Sequence, residues 1–387
     1  MGKNKHDLKR IGIDARMYGP LGKGLGRYTQ EIVDRVVEMD PENQYVVFLT
    51  RENFDEFQPK SDRIKKVKTN IRWYSLAEQI LLPFYIKKEK LDLMHFPHFN
   101  VPLLTPVKFV VTIHDLILTK FPTIRASTLS PWLYKIKNFF YKVVIKTAVK
   151  RAKRIIAVSE FTKKDIAKQF RVKPDKIRVT YEGVADLAKG GNSSSVSGLN
   201  DTDTLLSYNI DSDFLLYVGN AYPHKNLEGL VEAFADFCRN NYGIILVLVG
   251  KEDYFYQRLK ETIQKKYSDP RIIFPGYIPD EKLEILYQRA MAYIFPSFYE
   301  GFGLPPLEAM AKGCPVLSSN RSSMPEILEE AALYFDPADK EDIVAKIKRV
   351  VQDPALRKEL ADKGEKQATQ YSWQRCAEQT LEIYKNV

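Results

Sequence analysis

Cysteine is scarce in this 387-residue sequence: Cys238, Cys314 and Cys376 lie far apart and form no CxxC pair. So sparse and odd a set argues against a disulfide framework and fits a reducing cytoplasm. Long apolar runs are missing as well. No stretch reaches the roughly 18 apolar residues that cross a bilayer, and the opening MGKNKHDLKR lacks the apolar core of an export signal. His6 stands where an N-myristoylation motif wants Ser or Thr. These absences predict a cytoplasmic protein that meets a membrane, if at all, peripherally on its inner face. Histidine is rare too, with five in all. His95, His98 and His114 fall within one stretch, but no supporting set of acids or thiols accompanies them, so no metal site is expected.

What is present describes a globular enzyme. Hydrophobic residues at 44% and charged residues at 28% exclude a disordered or fibrous chain. The length exceeds one ordinary core and suits two domains of about 150–200 residues each. The net charge of +10 is unevenly spread: residues 1–180 hold 36 basic and 18 acidic residues, a balance of +18, which leaves −8 for the remainder. One half is therefore expected to face something anionic.

Apolar runs alternate with helical patterns along the chain. RIGIDA (10–15), QYVVFL (44–49), LDLMHF (91–96), KFVVTI (108–113), RIIAVS (154–159) and KIRVTY (176–181) read as buried parallel strands, with helical periodicity over 26–40 and 160–170. Residues 185–204, rich in Gly, Ser and Asn, interrupt the pattern and read as a flexible linker. Strands then resume at 214–219, 243–250, 271–276, 292–297, 314–319 and 332–336. Such alternation predicts two doubly wound, Rossmann-like α/β domains, 1–184 and 205–370, with a ligand cleft between them.

The segment FPSFYEGFGLPPLEAMAKGCPV (295–316) carries the chemistry. Glu300 lies in a Gly-rich loop after a strand, and Glu308 lies in what reads as the first turn of a helix opening at Pro305–Pro306. Gly301 and Gly303 let the backbone approach a ligand closely, and amides at Gly303, Leu304 and the helix start could seat a phosphate. Two acids bracketing a phosphate seat suit a diphosphate held between two polyols, which describes a nucleotide-sugar. A bare helix cap and a solvated acid would be the alternative for an arbitrary pair of glutamates.

YEGFGLPPLEAMAKGCPV resembles the E-x7-E signature of retaining glycosyltransferases of the GT-B fold, glycosyltransferase family 4 (group 1). The likeness extends through SSNRSSMPEI (318–327) and YSWQRCAEQTLEIY (371–384) and weakly over most of the chain. The resemblance implies that Glu300 contacts the donor sugar and Glu308 the ribose, with the backbone at Phe302–Leu304 meeting the sugar and diphosphate. It also implies that Lys225, in YVGNAYPHKN (217–226), steadies the diphosphate beside Gly219 and Asn220. Asn220 stands near where the family has an arginine, a departure that weakens the expected phosphate grip. His114, at the carboxyl end of KFVVTI, is expected beside the donor sugar. The loop MYGPLGKGLGRYTQE (17–31), with Gly24 and Gly26, is expected to close over the donor phosphate or the acceptor, although a tight turn accounts for the same glycines. Residues 371–387 are expected to pack back on the first domain, and no metal or other cofactor is required.

The wording GLGRYT and YVGNAYPHKN is similar to bacterial mannosyltransferases of this family, which makes mannose from GDP-mannose the first expectation and glucose from UDP-glucose the second. No residue stands out as a covalent nucleophile, so same-face transfer with the leaving diphosphate accepting the proton is the expected mechanism. Residues 133–154 carry eight basic residues and no acid. Leu133, Ile136, Phe140, Val143/Val144 and Thr147 recur at helical spacing and read as a core-packed stripe. The exposed face with Lys135, Lys142, Lys146 and Lys150 reads as contact with an anionic membrane presenting a glycan or lipid-linked acceptor. A GT-B sugar-nucleotide epimerase and a nucleic-acid-binding protein are the rival readings. The first would need acid–base groups around the sugar, the second aromatics interleaved with the charge, and no nucleic-acid module is recognisable.

Overall fold

The structure, a computed structural model, describes residues 8–121, 130–184, 200–239, 243–267 and 269–387. The chain divides into two compact units, one within Met1–Thr119, Pro131–Gly183 and Trp373–Val387, the other within Lys120–Ser130 and Val184–Ser372. Each is a wholly parallel sheet flanked by helices.

In the first unit the strands are β1 (Arg10–Asp14), β2 (Gln44–Leu49), β3 (Ile64–Lys68), β4 (Leu93–Phe96), β5 (Phe109–Ile113), β6 (Arg154–Ala157) and β7 (Ile177–Val179), in the order β3-β2-β1-β4-β5-β6-β7. Apart from β3 and β7, their interior positions are buried and mostly apolar, as helices covering both sides demand. The strand β3 is absent from the expected set for a physical reason. It is the sheet edge, so Ile64 and Val67 point inward while Lys65 and Lys68 are exposed, and no continuous apolar run results. The order reverses between β1 and β4, which leaves a crevice at their carboxyl ends.

The second unit contains β8 (Asp213–Val218), β9 (Ile244–Val249), β10 (Ile272–Gly276), β11 (Ala292–Phe295), β12 (Val316–Ser319) and β13 (Ala332–Phe335), ordered β10-β9-β8-β11-β12-β13. Its reversal falls between β8 and β11.

Two expectations need correction. Most of the proposed linker lies outside the described residues, but its last positions do not behave as a linker. Asn200 accepts a hydrogen bond from the Thr202 amide and caps a helix, Asp201–Ser207, whose acids Asp201 and Asp203 complement the positive end of the helix dipole. The apolar stripe of the basic segment is also not core-packed throughout. The helix Pro131–Arg151 buries Ile145, Ala148 and Val149 in the core and packs Tyr141 against it, while Leu133, Ile136 and Phe140 are exposed. Helical spacing identifies the side of a helix, but not how far along its length a neighbour covers it.

The closing helix Trp373–Lys385 packs against the helix Lys23–Met39 in the first unit. Buried Trp373 meets the ring of Tyr28 edge-on at 6.0 Å, and the Tyr384 hydroxyl lies 2.5 Å from His95 Nδ1.

Candidate active site

The second unit gathers the expected donor residues at its switch point. Lys225 lies on the loop after β8, and Glu300 lies on the loop after β11, so the strand order alone brings positions 75 residues apart into reach. Lys225 Nζ is 2.6 Å from Glu300 Oε1, and their side chains are 12% and 11% exposed. The ammonium also lies 5.3 Å from the centre of the Phe295 ring. A charge pair so little hydrated, at the carboxyl edge of a parallel sheet, stands where ligands of such sheets bind. His224 adds no second cation: burial, resisted only in part by the Glu300 charge, pulls its pKa to about 4. Its carbonyl accepts from the Phe298 amide and ties the two loops together.

Ser322 and Ser323, after β12, fix the glutamate loop. The Ser322 hydroxyl accepts from the Glu300 amide at 3.0 Å, and the buried Ser323 hydroxyl reaches the carbonyls of Glu300 at 3.1 Å and Phe302 at 3.0 Å. Reading the sequence singled out neither serine for a role. The available signal was position, since SSNRSS follows a strand at the same sheet edge as the two acids.

Gly303 takes φ +102°, where an L side chain is strained, and a Cβ there would collide with the Met324 methyl. The helix that follows starts at Leu304 rather than Pro305. This shifts two expectations. Pro305 and Pro306 have no N–H, so the helix start offers a phosphate only the amides of Gly303 and Leu304. Glu308 is the fifth helical residue, beyond the first turn, where the dipole term fades. The buried Tyr293 phenol is pushed far above its ordinary pKa by burial first and then by charges that include Glu308 and Glu300.

The remaining donor candidates are used internally. Gly219 donates its amide to the Val249 carbonyl and accepts at its own carbonyl from the Tyr256 hydroxyl. Asn220 accepts at Oδ1 from the Tyr222 amide, which shapes the turn leading to Lys225. Gly301 and Phe302 are buried within the loop, and Phe302 packs edge-on to Tyr371 at 5.5 Å.

In the first unit, Gly24 and Gly26 belong to the helix Lys23–Met39 and not to a loop. A Cβ on Gly26 would strike the carbonyl oxygens of Gly19 and Met17, so a tight turn explains this glycine. Gly24 is exposed and a Cβ there would meet nothing within 4 Å, so packing does not explain it. His114 directly follows β5, with Nε2 2.9 Å from the Pro97 carbonyl and Nδ1 2.8 Å from Glu182. Both contacts are with oxygen acceptors and suit a ring that donates from both nitrogens. Burial opposes the charged ring, but the Glu182 hydrogen bond and charge outweigh it and raise the pKa above the usual value. Any sugar hydroxyl would have to compete for a nitrogen already engaged. Glu182 was not foreseen; it too follows a strand, β7, at the carboxyl edge.

His95 and His98 are neutral, each with its pKa lowered to about 3 by burial and then by the charge of His114. Among the described residues, no group of three His, Cys, Asp or Glu could hold a metal ion. Lys135, Lys142, Lys146 and Lys150 are all exposed on the helix Pro131–Arg151. Among the described residues no helix is long and apolar enough to cross a membrane.

Two parallel-sheet α/β units, one with a lysine–glutamate pair at its switch point beside a glycine-capped helix, define a glycosyltransferase of the GT-B fold. The family model described as Glycosyl transferases group 1 matches residues 207–367, and that described as Glycosyltransferase Family 4 matches residues 22–186. The two span most of the chain between them, and the chain belongs to the family 4 (group 1) glycosyltransferases. It is similar to O-antigen chain mannosyltransferase B of Escherichia coli, 29% identical over 380 residues, covering 94% of this chain and 96% of that protein. Among solved structures, sucrose-phosphate synthase from Thermosynechococcus elongatus has the same fold, with TM-score 0.72, 21% identity and coverage of 98% of each chain. The Anabaena protein HepE, solved in complex with UDP, matches with TM-score 0.72 and 16% identity over 98% of this chain and 100% of that one.

Proposed function

We propose that this glycosyltransferase moves mannose from GDP-mannose to a glycan or lipid-linked acceptor with retention of configuration, UDP-glucose being the next candidate donor. The single observation that carries the reading is the Lys225–Glu300 pair at the β8/β11 switch point, next to the amides of Gly303 and Leu304. The similarity to a mannosyltransferase over nearly the whole chain supports the choice of sugar.

In this reading the donor diphosphate takes the Gly303 and Leu304 amides and draws Lys225 away from Glu300. The lysine then stabilises the charge that grows on the diphosphate as the bond to the anomeric carbon breaks. Glu300, relieved of its partner, accepts hydrogen bonds from sugar hydroxyls, and Glu308 accepts from the ribose diol. The leaving phosphate oxygen takes the acceptor hydroxyl proton while the new C–O bond forms on the same face. His114 does not act as the base, because Glu182 and the Pro97 carbonyl engage both of its ring nitrogens. Lys225 and the amides supply the positive field, so no metal or other cofactor takes part. The exposed lysines 135, 142, 146 and 150 rest on an anionic membrane face at the cytoplasmic side, each contributing about 1 kcal/mol.

Calorimetry with GDP-mannose, UDP-glucose, GDP and UDP tests the donor, and the anomeric configuration of the product tests retention. Lys225→Ala is expected to lower turnover at least about tenfold, or about 1.4 kcal/mol of barrier. An inverted product, or near-normal turnover in that variant, would overturn this account.

A further inference from the structure

The helix Leu76–Lys88 is apolar on both faces. Its inward face carries Leu82 and Ile86, buried in the core, and Glu78, which is buried and bonded to Arg16 Nη2 at 2.5 Å and to Asn100 Nδ2 at 2.7 Å. Its outward face carries Leu76, Ile80 and Phe84, four residues apart and 77%, 72% and 68% exposed. Lys87 and Lys88 close the same helix. A surface helix of a globular protein ordinarily turns polar residues outward, and here the outward face is apolar as well.

The apolar surface continues beyond this helix. The Leu103 amide donates to Gln79 Oε1, which places Leu104, 79% exposed, against the ridge. Arg151, from the basic helix Pro131–Arg151, bonds the Leu103 and Thr105 carbonyls on either side of it. Tyr74, Phe99 and Tyr141 form a ring chain, at 5.9 and 5.0 Å, between the start of the ridge and the middle of the basic helix. The amino-terminal half of that helix adds Trp132 and Phe139, 69% and 64% exposed.

We propose that this ridge, Leu76–Ile80–Phe84 with Leu104, inserts into the interfacial layer of an anionic lipid bilayer, while the lysines of both helices engage the headgroups. The proposal rests on the peripheral-membrane reading above and goes beyond it, since contact through lysines alone needs no apolar ridge. Charge selects the occupant. The helix Pro131–Arg151 has six basic residues and no acid, so a second copy would bring like charge against like. An anionic surface with an apolar interior matches both features.

The test is flotation of the full chain with phosphatidylcholine vesicles and with equimolar phosphatidylcholine–phosphatidylglycerol vesicles, at low and high salt. Ile80→Ser/Phe84→Ser is compared with wild type after circular dichroism shows equal melting. High salt shortens the screening length from about 10 Å to about 3 Å and removes the headgroup part of the binding. The wild type is expected to float with anionic vesicles and to retain part of its binding at high salt, and the double variant to lose about tenfold in partition. Equal flotation of the two proteins, or complete release of wild type by salt, would overturn insertion while leaving the lysine contact standing. No preference for anionic over neutral vesicles would refute the lysine contact and this proposal's choice of surface. A wild-type dimer that becomes a monomer in the double variant, without flotation, would overturn the proposal in favour of a second copy.

Discussion

Removing Lys225 should cost more stability than removing Glu300, and removing both should cost less than the sum. The ion pair is 2.6 Å long with about nine-tenths of each side chain hidden, so Lys225→Ala leaves a short, poorly hydrated carboxylate without its counter-charge. Breaking a buried pair from one side costs about 3–5 kcal/mol, and the slight exposure here favours about 3 kcal/mol. For a unit of this size that is a melting shift of roughly 6–12 °C. Glu300→Gln should be milder, about 1–2 kcal/mol, because the ammonium keeps the Phe295 ring and has a longer reach to water. The double variant should recover about 2 kcal/mol of coupling. Thermal melts of the four proteins read this cycle directly. Single effects that add to within about 0.5 kcal/mol would refute the coupling and, with it, the idea that donor binding must part the pair. Saturating donor, at about a hundredfold over Kd, should stabilise wild type by about 2.7 kcal/mol and the Lys225→Ala protein by much less.

Three further outcomes are expected. Gly303→Ala should destabilise by about 1–3 kcal/mol from the left-handed backbone and the Met324 contact, and should weaken nucleotide-sugar affinity in calorimetry. Glu182→Gln should reveal the His114 charge through pH. The folded pKa is raised above the ordinary 6.5, so the pair stabilises fully below that value and its contribution is lost as pH rises through the folded pKa. The melting difference between wild type and Glu182→Gln should therefore be largest near about pH 6 and shrink on the alkaline side, and a pH-independent difference would count against the imidazolium. Arg16→Met should cost about 3–5 kcal/mol by denaturant titration, because it strands two buried acids, Asp14 and Glu78.

The parallel strands were legible because strands buried on both faces must be apolar throughout, and twelve of the thirteen fall within the expected runs or one residue beyond them. The exception, β3, is polar on the side where the sheet ends. Glu300 and Glu308 were legible because a strand end, glycines and prolines fix a local geometry that neighbouring residues alone can build. The helix start was misjudged by one residue, since Gly303 supplies the cap in a conformation the sequence permits but does not require.

The sequence by itself determined two α/β units, the strand-end setting of Glu300 and Lys225, and a basic first half, because each depends on composition, period or short spacing. Only the tertiary structure decided which groups neutralise one another. Lys225 meets Glu300 because β8 and β11 are neighbours in the sheet, and His114 meets Glu182 because β5 and β7 bring both to one edge. It alone also decided which apolar residues stay uncovered. Ile80 and Ile86 share one helix and one chemistry, and only the packing of the chain around them leaves the first in water and the second in the core.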